Sequence, residues 1–206
     1  MTEPPRLVLA SGNAHKLAEL RRALPDVRLE LLGGDEEPVE NGDDYEANAR
    51  IKARFARSRI AQDAWALGED SGIEAAALDG QPGVRTARWA AGDPVGRMLA
   101  ALADVDDRRA RYVSVLVAVG PGREELVARG EVGGTIARRA AGDEGFGFDP
   151  VFVPEGETRT VAELGDEWKR VESHRARAAA ELDRMLAEAR TVGGSGRTGP
   201  APTTTG

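Results

Sequence analysis

The sequence predicts an α/β protein with a mixed twisted sheet and flanking helices, and three observations carry that expectation. Short apolar runs of strand length alternate with segments of helical period, as in strand–helix–strand units. After Tyr112 two strand-like segments follow one another with no helix between them, which calls for antiparallel pairing. No G-x-G-x-x-G follows the first strand and no Walker A sequence occurs, so a pure dinucleotide-binding fold is disfavoured.

Taken in order, Arg6 to Ala10 reads as a short buried strand, and Ser11-Gly12-Asn13 turns it into a helix with Leu17, Leu20 and Leu24 on one face. Glu30 to Asp44 reads as an acidic, glycine-containing loop. Tyr45 to about Arg59 is a second helix that places Asn48 and Lys52 one turn apart on the same side. Trp65 to Leu67 begins a strand that ends in Glu69-Asp70-Ser71-Gly72, and Asp79 to Gly83 carries turn residues. Pro94 to Leu102 is a helix. Tyr112 to Val119 is nearly all apolar and β-branched, as a strand covered on both faces should be. Glu125 to Ala137 is strand with an interruption at Gly133-Gly134, and Val151 to Val153 is a further strand. The last helix covers Arg175 to Ala189, where Ala178, Leu182, Met185, Leu186 and Ala189 form one stripe. Residues 1–192 make the folded unit, and residues 193–206, rich in Gly, Ser, Pro and Thr, are expected to be a disordered tail.

With 206 residues, 41% of them hydrophobic, the chain can bury a core and hold a cleft. A formal net charge of −7 argues against a grip on a nucleic acid polymer, though not against a small anion held by a few local cations. The absence of cysteine removes disulfides, thiolate zinc sites and cysteine nucleophiles, and favours a cytoplasmic setting. No secretory signal or membrane-spanning run is evident, so no membrane partner is expected. The 28 basic residues include only three lysines, Lys16, Lys52 and Lys169. Where arginine replaces lysine at every tolerant position, the survivors mark sites that need a compact ammonium; chance survival is the competing reading.

Four segments could carry chemistry. Ser11-Gly12-Asn13-Ala14-His15-Lys16 lies at a helix start, where outward N–H groups, the helix dipole and a lysine favour phosphate. An ordinary N-cap explains the same residues. Glu40 and Asp70 could hold a magnesium ion, since a triphosphate-bound Mg²⁺ needs only one or two protein carboxylates. An acid close to that metal, with Asp70 the candidate, could activate water as general base. A solvated charge run and a plain turn are the alternatives. Phe146 and Phe148, flanked by glycines in Gly145 to Pro150, could stack on a base or plug into the core. Lys169 and Ser173-His174-Arg175, at the entrance to the last helix, could donate hydrogen bonds to the six-position carbonyl of a purine. Adenine offers an amine there, and such a mismatch discriminates by roughly 10⁴-fold or more. A capping or packing role is the other account of His174.

Together these blocks resemble the inosine/xanthosine triphosphate pyrophosphatase family (dITP/XTP pyrophosphatases). The likeness runs in order through Ser11 to Glu19, Asn48-Ala49 with Lys52-Ala53, Glu69 to Ile73, Gly80 to Val84 with Ala87-Arg88, Gly145 to Phe152, and Ser173-His174-Arg175. The resemblance implies an inosine triphosphatase-like fold of two lobes with a central cleft, a homodimer, Mg²⁺ dependence and release of pyrophosphate. It implies that Ser11, Gly12, Asn13, Ala14, His15 and Lys16 hold phosphate and sugar, and that Glu40 and Asp70 serve the metal, with Asp70 as base. Ser71, Phe146, Gly147, Phe148, Asp149, Lys169, His174 and Arg175 would then surround the nucleotide. The chain departs from the family pattern at Asn41, where threonine is usual, at Glu69, where a first aspartate is common, and at Val171-Glu172 before the Ser-His-Arg run. A septum-inhibitor type of nucleotide pyrophosphatase and a nucleotide-binding module without turnover are the alternative functions.

Overall fold

A computed structural model of the chain describes residues 3–34, 36–89 and 92–194. One six-stranded sheet organises it, in the order β2-β1-β3-β4-β5-β6. Here β1 is Arg6–Ala10, β2 Arg28–Leu31, β3 Trp65–Ala75, β4 Arg109–Val119, β5 Glu125–Ile136 and β6 Phe152–Pro154. The pairings β1 with β2 and β1 with β3 are parallel, and the other three are antiparallel, so the sheet is mixed as expected. The helices are α1 (Ala14–Ala23), α2 (Tyr45–Arg57), α3 (Thr86–Trp89), α4 (Pro94–Ala101), α5 (Val161–Glu172) and α6 (His174–Gly194).

Side-chain alternation along the long strands divides the core. On one face, Ala66 of β3 and Val113, Val115, Val117 and Val119 of β4 pack against Ala49, Ala53 and Ala56 of α2. On the other face, Leu67, Leu116 and Ala128 join Leu17 and Leu20 of α1 with Ala178, Leu182 and Leu186 of α6. Farther along that same face, Ile73, Tyr112 and Val132 belong to a separate cluster with Met98 and Leu102, Phe148 and Phe152. Between the two clusters the positions facing the helices are polar or glycine: Glu69 and Ser71 on β3, Ser114 on β4 and Gly130 on β5. That polar seam is where the site forms.

Two glycines let helices press directly on the sheet. A Cβ on Gly68 would lie 1.9 Å from Ala49 O of α2, and one on Gly130 would lie 2.1 Å from His174 O of α6. Each glycine therefore sets how closely a functional helix approaches the strands.

Several expectations are corrected. β3 continues to Ala75, so Asp70 lies in the middle of a strand instead of at its end. β5 runs unbroken through Gly133-Gly134, because both residues pair with β4 and Gly134 also pairs with β6. The segment from Glu30 is not all loop, since Glu30 and Leu31 complete the edge strand β2, too short to show a period. Helix α5 was not anticipated: Gly165, at φ 74°, breaks it into two pieces and obscures its pattern, although Thr160 and Glu163 form a full capping box at its start. The last helix extends to Gly194, beyond the expected boundary after residue 192, and the rest of the expected tail, 195–206, lies outside the described residues.

Candidate active site

Two cavities adjoin at the polar seam. The smaller, of about 190 Å³, is lined by Phe146 to Asp149, Tyr112, His174, Arg175 and Ser71. The larger, of about 860 Å³, is lined by Ser11 to Lys16, by Glu36, Glu37 and Glu40 of the acidic loop, and by Lys52. Asn13, Lys16 and Ala87 line both, so the two cavities are immediate neighbours.

At the wide end, α1 begins where β1 stops. Asn13 Oδ1 accepts the N–H groups of His15 at 2.9 Å and Lys16 at 3.3 Å, and Ser11 Oγ accepts the N–H of Asn13 at 3.1 Å. Asn13 is thus a true N-cap, as the alternative reading had it. The cap engages two of the N–H groups at this helix start. Lys16 meets Glu69 at 2.7 Å.

On the α2 face, Asn48 and Lys52 do share one side and both reach Asp70. Lys52 Nζ lies 3.0 Å from Asp70 Oδ1, 2.9 Å from Glu40 Oε2 and 3.1 Å from the Glu69 carbonyl oxygen. Asn48 Nδ2 donates to Asp70 Oδ2 at 3.3 Å. The predicted pair of separated acids therefore converges on one cation. The Glu40 loop is held in place by Arg88, whose Nη2 donates to the Glu40 carbonyl at 2.6 Å. Burial raises the Asp70 carboxyl above its ordinary value, and the nearby Glu69 charge adds to this, while Lys52 opposes it. A carboxylate so placed is a stronger base than one in water.

At the narrow end lies a chain of buried charges in which Asp149, Lys169 and Arg175 are expected site residues and Glu19 and Glu69 are not. Arg175, 4% exposed, donates from Nε to Glu69 Oε1 at 3.0 Å, from Nη1 to Glu19 Oε2 at 2.5 Å and from Nη2 to Ser71 Oγ at 2.9 Å. Lys169 bonds Asp149 Oδ2 at 2.8 Å and also contacts Glu19. Burial alone would push the Glu69 carboxyl up, but Lys16 and Arg175 hold it well below the usual carboxylate range. Glu69 and Asp70, neighbours in sequence, point to opposite faces of β3: Glu69 serves Arg175 and Lys16, and Asp70 serves α2. Glu19 gave no signal as a site residue, because one acid on an amphipathic helix reads as surface until α5 and α6 close over it.

All three lysines fall in this site, each paired with a carboxylate. Lys52 in particular offers three N–H groups to three oxygens, which an arginine fork would not match.

The aromatic expectations divide. Phe146 is half-buried, stacked on the exposed His15 ring at 5.1 Å, with Lys169 Nζ 4.9 Å and the Arg175 guanidinium 5.3 Å from its centroid. Phe148 is instead a core residue, 3% exposed and 6.1 Å from Trp89, so its ring is not an open platform although it closes one wall of the smaller cavity. Lys169 sits in the last turn of α5, not at the entrance to α6. His174 is 6% exposed, and burial together with the Arg175 charge keeps its imidazole neutral, well below 6.5.

The Ham1 family model matches residues 7–185. A protein of Symbiobacterium thermophilum named dITP/XTP pyrophosphatase is 47% identical over 192 residues, covering 88% of this chain and 95% of that one. The solved structure of the Staphylococcus aureus Ham1 protein superposes with a TM-score of 0.77 at 32% identity, covering 89% of this chain and 99% of its own. That of a nucleoside-triphosphatase / dITP/XTP pyrophosphatase from Mycobacterium abscessus gives a TM-score of 0.68 at 42% identity, covering 88% and 99%.

Proposed function

The chain belongs to the Ham1 family, and from that premise we propose how its paired cavities hydrolyse non-standard purine nucleoside triphosphates (dITP, ITP and XTP) to the monophosphate and pyrophosphate. The observation that carries the reading is that the two cavities adjoin, with Asn13, Lys16 and Ala87 in both linings. The purine occupies the small cavity among Phe146, Asp149, His174 and Arg175. The triphosphate extends past Lys16 into the large one, toward Lys52 and Glu40.

Asp70 accepts a hydrogen bond from Lys52, which lines the large cavity. As the phosphates draw the Lys52 ammonium toward them, the Asp70 carboxylate becomes free to take a proton from water. The water oxygen forms a bond to the α-phosphorus, the bond from that phosphorus to the bridging oxygen breaks, and pyrophosphate leaves with the electron pair. Lys16 and Lys52 offset the charge gathering on the phosphates.

Glu40 and Asp70 present hard oxygen donors that already surround one cationic group. Among the described residues no group of three or more His, Cys, Asp or Glu is placed to hold a metal. Two carboxylates completed by water and phosphate oxygens are what Mg²⁺ on a triphosphate requires, so the donor set fits. Mg²⁺ bound there would neutralise phosphate charge and lower the pKa of a bound water.

The homodimer is carried over from the family resemblance and is checked by light scattering. The cytoplasmic setting rests on the cysteine-free composition and is checked by fractionation. The net charge of −7 supports the expectation that no nucleic acid polymer is bound; no helix among the described residues is long and apolar enough to cross a membrane. Pyrophosphate release measured on ITP, XTP, GTP and ATP, with Mg²⁺ and with EDTA, tests the reaction. Strong Mg²⁺-dependent release from ITP and XTP is expected. Dominant activity on pyrimidine or methylated nucleotides, or ITP binding without release, would refute it.

A further inference from the structure

Tyr112 heads the apolar run of β4, yet it touches two polar groups of the small cavity at once. Its hydroxyl donates to Asp149 Oδ1 at 3.2 Å. Its ring lies nearly parallel to the His174 imidazole, 4.6 Å between centroids at 11°, and is braced on another side by Phe152 at 4.5 Å. Tyr112 is 8% exposed and itself lines the cavity. Burial, reinforced by the Asp149 charge, keeps the phenol protonated, so the bond has one direction only, from Tyr112 to the carboxylate.

The other Asp149 oxygen is equally committed, accepting from Lys169 Nζ at 2.8 Å and from the Phe146 N–H at 3.0 Å. With both oxygens engaged, rotation of the carboxylate would break at least one of these bonds, and tilting the imidazole would break its stacking on Tyr112.

We propose that Tyr112 is a positioning residue for base selection, fixing the Asp149 carboxylate through its hydroxyl and the His174 plane through its ring. The proposal rests on the reading of this cavity as the purine pocket. The physical argument concerns rigidity. A six-oxo purine with a protonated N1 presents an acceptor beside a donor, whereas adenine presents the reverse. A neutral imidazole that can turn offers either its N–H or its bare nitrogen, and a carboxylate free to shift accepts from whichever donor is near; a pocket that holds both still leaves the wrong edge unpaired. Tyr112 acts on no reacting atom, and Asp70 lies on the opposite face of the sheet, so its loss should affect recognition more than chemistry.

The test compares Tyr112→Phe, which keeps the ring and removes the hydroxyl, with Tyr112→Leu, which removes both supports. For each, kcat and KM for ITP and ATP are measured in Mg²⁺, alongside the thermal unfolding midpoint. Tyr112→Phe is expected to raise the ITP KM by roughly 3- to 10-fold, with a smaller effect on kcat. Tyr112→Leu is expected to lower the ITP-to-ATP ratio of kcat/KM by about 10-fold or more. A merely structural role would lower activity on both nucleotides together and leave the ratio intact, and that result overturns the proposal. Should Tyr112→Leu fail to fold, an unchanged ITP KM and ratio in Tyr112→Phe overturn it alone. If the wild type itself shows no preference for ITP over ATP, the pocket assignment fails and takes this inference with it; a selective wild type with equally selective variants removes only the role of Tyr112.

Discussion

Replacing Gly68 by alanine tests whether direct contact between α2 and β3 is what holds Asp70, Lys52 and Asn48 together. A Cβ at Gly68 would lie 1.9 Å from Ala49 O and 2.6 Å from Ala53 N. Both are backbone atoms of α2, so no rotamer change relieves the overlap. Restoring ordinary contact, which begins at 3.4 Å, requires the helix to retreat by about 1.5 Å at that point. Lys52 lies 3.0 Å and Asn48 3.3 Å from the Asp70 oxygens, so a retreat of that size takes both beyond hydrogen-bonding distance. Overpacking of this kind costs about 1–3 kcal/mol, which for a chain of this size lowers the unfolding midpoint by roughly 2–12 °C. Displacing reacting groups by an ångström costs on the order of 10²-fold in rate. Pyrophosphate release from ITP in Mg²⁺ and thermal unfolding are the assays. Gly33→Ala, where nothing lies within 4 Å, serves as the matched control. If Gly68→Ala keeps kcat within about twofold of that control and unfolds with it, close approach of α2 does not assemble the site.

Asp70→Asn should lower ITP turnover by roughly 10²-fold or more while leaving the fold intact, and near-normal turnover removes Asp70 as the base. Glu69→Gln leaves Lys16 and Arg175 without the fully buried charge they share. We expect a loss of about 3–5 kcal/mol in denaturant unfolding, and an unchanged midpoint would show the network to be dispensable. His174 stays neutral in the folded protein, its pKa held well below 6.5, whereas the unfolded chain takes up a proton below that value. The unfolded state then binds more protons, so stability falls as the pH drops below 6.5. Urea midpoints followed down to about pH 5.5 should decline less steeply in His174→Gln, and parallel profiles would exclude His174 as the source.

Local pattern made much of the fold legible. The run Arg6 to Ala10 with the cap at Asn13, the helix carrying Asn48 and Lys52, and the apolar strand through Val119 all appear as expected. What escaped were elements whose period is too short or broken: the four-residue edge strand β2, and α5 with Gly165 inside it. Phe148 was open to two accounts, and the core took it because Trp89 arrives from a distant helix.

By itself the sequence determined which residue types are present at the site: three lysines among many arginines, the acids Glu40 and Asp70, and donors at Ser173-His174-Arg175. Only the tertiary structure decided which face of β3 each neighbour serves, sending Asp70 to α2 and Glu69 with Ser71 to α6, and recruiting Glu19 to bridge Lys169 and Arg175. The reason is the range of the interactions involved. Caps and periodicity are settled among residues a turn apart, whereas the partner of a buried charge is whichever opposite charge the packing of distant helices brings within reach, here 156 positions away for Glu19 and Arg175.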